Sequence, residues 1–251
     1  MTYCPLCRTG LAAERTVRGE PTTFGVSGLL YRDNLVMYDE ATSSLWSQVR
    51  AQAIRGPMAG TDLSLLPSTL TTWGDWRAAH PETVVLLPPP ISGTVLGRVV
   101  RDVTRSPYGN YENVTRVGVG PGRLADDRLH PKALVVGVRA GGVARAYPLE
   151  AVRAAGGVVN DTVGGKPVVV AAAEETLVAY DRRVGGQVRA FKPAEGAHIR
   201  AAGSRWSVPT GRAVDGPYDG QRLTSASASS AMFWFAWTQF NPDTEIWSPE
   251  G

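Results

Sequence analysis

An α+β protein, mostly β, made of two homologous half-domains packed pseudo-symmetrically, follows from three features of the sequence. Its 28 glycines and 18 prolines are about 18% of 251 residues, above an average near 12%, which favours many turns over a helical bundle. Short apolar runs bounded by Gly-Gly and Gly-Pro pairs read as strands and hairpins. A segment near the start recurs in the last third of the chain. A hydrophobic content of 43% is ample for a buried core.

The recurrence sets the boundaries. Glu14-Arg15-Thr16-Val17 and Phe24 match Asp181-Arg182-Arg183-Val184 and Phe191, 167 residues on. Trp46-Ser47, Gly56-Pro57 and Leu63 match Trp206-Ser207, Gly216-Pro217 and Leu223, 160 residues on. Trp73, Trp76, Pro81 and Thr83 match Trp234, Trp237, Pro242 and Thr244 at 161. This predicts a first copy over 1–87, a proline-rich linker and loop over 88–130, and a second copy over 131–251. Between Phe24 and Trp46 the first copy carries seven extra residues. Insertions of this kind often shape a site.

The elements of the first copy come in order. A strand holds Cys4, and Asn34 to Asp39 alternates like a strand. A helix carries Trp73 and Trp76 and stops at His80-Pro81, before a strand over Thr83 to Leu87. Pro88-Pro89-Pro90 favours an extended linker.

The second copy opens with more. Ala133 to Val138 and Val143 to Pro148 flank Gly141-Gly142 as a hairpin. A short helix runs from Pro148 to Arg153, with Pro in its first turn and Gly156-Gly157 past its end. Val158 to Ala171 is a strand–turn–strand around Gly164-Gly165. A helix is expected over Ser229 to Phe240, and a strand over Thr244 to Trp247. At the constant offset of 167, Cys4 falls on Ala171 and Cys7 on Glu174, midway along a strand. The hairpin and helix that precede that strand in the second copy have no counterpart before Cys4, so a start upstream of Met1 is expected.

Composition narrows the function classes. Net charge is +3, from 26 basic and 23 acidic residues with interspersed signs. No basic stripe is interleaved with aromatics, so no nucleic-acid partner is expected. No apolar run reaches the ~18 residues of a membrane span. No signal peptide precedes Cys4. The chain as written reads as cytoplasmic, and as extracytoplasmic if the true start lies upstream. Small-molecule or protein partners are not specified.

Cys4-Pro5-Leu6-Cys7 concentrates the candidate chemistry. Two sulfurs at this spacing approach one metal, or each other, when a turn joins them. Four-coordinate zinc needs two more ligands, and no second CxxC or HxxxH exists. Copper(I), content with two or three soft ligands, fits better and zinc is second. His130, in Arg128-Leu129-His130-Pro131-Lys132, is the candidate third ligand; Met37 and Met58 are further sulfur sources. His80 reads as a helix stop and His198 as a loop residue. A redox dithiol, or two cysteines serving as small core residues, are the alternatives. Tyr31, Met37, Tyr108, Tyr111, Asn160 and Asp161 are candidates for a ligand groove, although Asn160-Asp161 also suits an Asx-turn.

Thr2-Tyr3-Cys4-Pro5-Leu6-Cys7, Thr23-Phe24-Gly25-Val26-Ser27-Gly28-Leu29-Leu30-Tyr31, His130-Pro131-Lys132 and Val159-Asn160-Asp161-Thr162-Val163-Gly164-Gly165 together resemble a bacterial and archaeal family of unknown function, DUF3179. The resemblance covers nearly the whole chain and implies no settled activity. It does imply a segment like His130 to Val170 ahead of the Tyr-Cys-Pro motif, and export or lipid anchoring in many members. The functional expectation is a thiolate-centred site, binding copper or acting in redox chemistry, against a non-catalytic scaffold that recognises a ligand or protein.

Overall fold

The computed structural model describes residues 1–85, 108–119 and 126–249. Strands dominate them, with three short α-helices: α1 (Trp73–Ala79), α2 (Leu149–Ala154) and α3 (Trp234–Thr238). The α+β, mostly β expectation holds. The proline triplet and most of the 88–130 linker lie outside the described residues.

The first half begins with the antiparallel pair Thr2–Cys4 and Thr9–Ala13, joined by Leu65–Leu66. An antiparallel meander follows: Phe24–Tyr31, Asn34–Asp39, Leu45–Ser47 and Gln52–Arg55. The second half has a similar order. Val158–Val163, Lys166–Ala173 and Thr176–Asp181 form one sheet, and Lys192–Ala194, His198–Ala201 and Ser204–Ser207 another.

Hydrogen bonds in one half have counterparts in the other. Glu14 N–H donates to Ser64 O at 2.9 Å, and Asp181 N–H to Thr224 O at 2.8 Å. Met58 N–H donates to Ser44 Oγ at 3.0 Å, and Tyr218 N–H to Ser204 Oγ at 3.1 Å. The Trp76 indole donates to Thr83 Oγ1 at 3.0 Å, and the Trp237 indole to Thr244 Oγ1 at 2.8 Å.

The expected hairpin is Leu134–Ala140 and Val143–Pro148. Gly141 and Gly142 have φ of 53° and 80°, the left-handed pair that a two-residue hairpin turn requires. Pro148 caps α2 rather than lying in its first turn. The helix expected over Ser229 to Phe240 is shorter, because Met232–Phe233 pairs with Leu134 and Val135 as a strand. All five residues of α3 are buried. A segment apolar on every side gives no periodicity from which to place a boundary. His198 stands in a strand opposite Ser207, not in a loop. Thr83, Val84 and Val85 are outside any strand, and Leu86 and Leu87 lie outside the described residues.

Four buried clusters fill the interior of the described residues. Met37 packs with Leu11 and Trp46 in the first half. Cys4, Leu6 and Cys7 belong to a different cluster, shared with Tyr111, Met232, Phe233 and α3. Each large apolar side chain buried there contributes about 1.5–3 kcal/mol. α3 therefore anchors the cysteine turn of the first half to the second.

Candidate thiolate site

Cys4 ends its strand directly opposite Thr9, and Pro5 to Arg8 make the turn. Pro5 cannot donate to the ladder, and Arg8 takes φ of 54° to bring the chain back. Thr176, 167 residues after Thr9, faces Ala173 across a turn of only Glu174 and Glu175. Cys4 thus stands to Thr9 as Ala173 stands to Thr176. The cysteine turn is two residues longer than that turn.

Both thiols are free and buried, Cys4 1% exposed and Cys7 0%. They lie within hydrogen-bonding reach of one another. The Cys7 thiol beside Cys4 pulls the Cys4 pKa below that of an ordinary thiol, to about 6; burial opposes this, and the backbone amides of Leu35, Cys7 and Leu6 reinforce it. The same contact raises the Cys7 thiol, and burial raises it further. The two thiols titrate as a pair, with Cys4 the more acidic partner and Cys7 the less.

Three segments close around the pair. The first is the hairpin turn Arg32-Asp33, with φ of 52° and 56°. This conformation disfavours side chains with a Cβ, and here it aims Asp33 O at Cys7 Sγ, 3.3 Å away. Asn34 follows, fully buried, donating to Gln48 Oε1 at 2.9 Å and accepting from Val49 N–H at 3.0 Å. Gln48 Oε1 also accepts from Thr9 Oγ1 at 2.9 Å, and its Nε2 donates to Thr9 O at 3.2 Å. This amide network ties the strand opposite Cys4 to the turn over Cys7.

The second segment, residues 108–119, sets Tyr111 over the site. Its hydroxyl accepts from Gly118 N–H at 2.9 Å, and burial pushes its pKa up to about 12. Gly118 has φ of 67°, and a Cβ there would come 1.9 Å from Asp33 Oδ1. The third segment supplies Lys132, 6% exposed. Its Nζ lies 3.8 Å from the Tyr111 ring centroid and donates to Arg116 O at 2.5 Å. Burial and the Arg116 charge lower its pKa, while nearby Cys7 acts the other way. Finally, Phe233 N–H donates to Cys7 O at 2.9 Å.

The remaining candidates have partners of their own. His130 is exposed, its Nδ1 accepting from Lys132 N–H at 3.2 Å. Among the described residues no three of His, Cys, Asp and Glu assemble as a metal-ligating group. Met37 and Met58 sit in the Trp46 cluster, not with the cysteines. Tyr31 faces Phe240 with ring centroids 6.1 Å apart, and the Arg32 guanidinium lies over both rings. Tyr108 packs beside Tyr111 at 6.3 Å. Asn160 clamps Phe191, donating to its O at 2.8 Å and accepting from its N–H at 2.7 Å. Asp161 accepts from Arg145 and from Tyr147 Oη, each at 2.7 Å. Both side chains make internal ties.

Sequence reasoning reached the two cysteines and Tyr111 but missed Asp33, Gln48, Gly118 and Lys132. The signal for Lys132 lies in His130-Pro131-Lys132, a lysine immediately before an apolar strand.

Fold and site together define a mostly β, α+β protein with a buried dithiol turn. The chain belongs to the family described as "Protein of unknown function (DUF3179)", which matches residues 1–244. Neither a curated protein nor a solved structure matches it. Among the described residues no helix is long and apolar enough to cross a membrane.

Proposed function

We propose that Cys4 and Cys7 form a two-thiolate site for a soft monovalent metal, copper(I) being the ion that fits. The observation that carries this is the pair of free, fully buried cysteines on one turn, with Asp33 O 3.3 Å from Cys7 Sγ. Binding releases the Cys7 proton and leaves two sulfur ligands on the ion. Cu(I) is stable with that number, whereas zinc needs four ligands. The Lys132 ammonium offsets the negative charge of such a complex. Burial of both thiols disfavours exchange with a bulky disulfide. The pKa asymmetry alone also suits a redox dithiol, which is the second reading.

We infer further that the two halves are copies of one ancestral unit. The matched hydrogen bonds at Ser44 and Ser204, and at Thr83 and Thr244, support this. On that reading the longer cysteine turn is an addition to one copy, which favours a dedicated role over packing.

Competition of the reduced protein against a chromogenic Cu(I) chelator tests the proposal. One equivalent should bind, and Cys4→Ser and Cys7→Ser should each abolish binding while near-ultraviolet circular dichroism is kept. Reversible oxidation to a Cys4–Cys7 disulfide without copper binding would favour the redox reading. A protein that does neither leaves the cysteines as core residues and refutes both.

A further inference from the structure

We propose that the cleft between the two halves binds a small organic anion carrying at least two negative charges. The cleft encloses about 510 Å3, inside the range of roughly 300–1,000 Å3 usual for small-molecule sites. Arg50 lines it from the first half, and Arg139 and Lys166 line it from the second. Arg139 stands opposite Ala144 near the Gly141-Gly142 turn, and Lys166 opens its strand opposite Val163. Two separate hairpins therefore deliver charge to one cavity.

None of these three cations is in an ion pair with a described residue. Other basic residues of the chain do find carboxylates: Arg145 reaches Asp161 and Glu245, and Arg205 reaches Asp215. Asp62 is the acidic residue of the lining, so the cavity carries a net charge of two positive. Like charges converging on a concave surface raise the local concentration of anions. Met232, Trp237 and Phe240 supply an apolar wall for a carbon frame.

The wall between them is shaped by its own hydrogen bonds. Ser225 Oγ donates to Ser227 O, and Ser227 Oγ to Ser229 O, each at 2.8 Å. These hydroxyl hydrogens are committed to the backbone, which holds the Ser225–Ser229 wall in shape and leaves recognition to the cations. No cysteine lines the cleft, so the proposal stands apart from the thiolate site.

Calorimetric titration with pyrophosphate and with citrate, and with glucose as a neutral control, tests it. At least one anion should bind with unit stoichiometry, and glucose should not. Preference for pyrophosphate marks a phosphate ester as the ligand class, and preference for citrate a polycarboxylate. Arg139→Gln and Lys166→Gln should each weaken binding at least about fivefold, Asp62→Asn should strengthen it, and raising salt to about 0.3 M should weaken it. Unchanged near-ultraviolet circular dichroism in each variant separates a lost site from a lost fold. Absence of binding by both anions overturns the proposal. So does undiminished binding in a variant combining Arg50→Gln, Arg139→Gln and Lys166→Gln.

Discussion

Replacing Gln48 by leucine tests whether the amide network sets the frame of the cysteine turn. Gln48 is fully buried and accepts from Thr9 Oγ1 and Asn34 Nδ2, each at 2.9 Å, while donating to Thr9 O at 3.2 Å. Leucine is of similar volume, so the cavity contribution is small. It leaves three buried polar groups without their partner. At the low end of about 1–3 kcal/mol for each, the loss is about 3 kcal/mol. For a chain of this size that lowers Tm by about 6–12 °C. Urea denaturation followed by tryptophan fluorescence measures it. Combining Gln48→Leu with Thr9→Val should recover about 1 kcal/mol relative to the sum of the single losses, because each removes the other's orphaned partner. A Gln48→Leu variant within about 0.5 kcal/mol of the parent, or strict additivity with Thr9→Val, refutes the reasoning.

Two further perturbations probe other parts of the frame. Gly118→Ala sets a Cβ 1.9 Å from Asp33 Oδ1 at a φ of 67°; it should destabilise by more than the ~1–2 kcal/mol of a left-handed residue alone, and Asp33→Gly should relieve part of that in a double variant measured by thermal denaturation. Asp39 is buried yet ionised: burial opposes its charge, but bonds from the Trp46 indole and from Thr42 lower its pKa below the ordinary 3.8. Its contribution is therefore complete above that value and is lost as pH falls through the lower folded value. Asp39→Asn should be less stable than the parent at neutral pH, with the gap narrowing below about pH 4. A gap independent of pH in urea titrations counts against this.

Local chemistry was legible in the order of residues. Gly141-Gly142 announced a hairpin because a two-residue turn needs positive φ at both positions, and Gly164-Gly165 did the same, with φ of 49° and 82°. The cysteine pair stood out by its spacing. α3 was harder, since a segment buried on all sides has no polar face to mark its ends. Met232 and Phe233 became strand only because Leu134 and Val135 present an edge to them. A pairing between residues so far apart along the chain leaves no local trace.

The sequence alone was enough for the mostly β character, the turn positions and the identity of the two sulfurs, because these depend on composition and on neighbours along the chain. The surroundings of those sulfurs depend on contacts across the chain. Cys7 meets Asp33 O, 26 residues away. Lys132 meets Tyr111, and α3 of the second half closes over the turn of the first. The three-dimensional fold also left His130 exposed and set Met37 in another cluster. The Cys7 thiol and the amides of the turn itself lower the Cys4 pKa against the effect of burial, and only the packing of a distant strand adds the Leu35 amide to them.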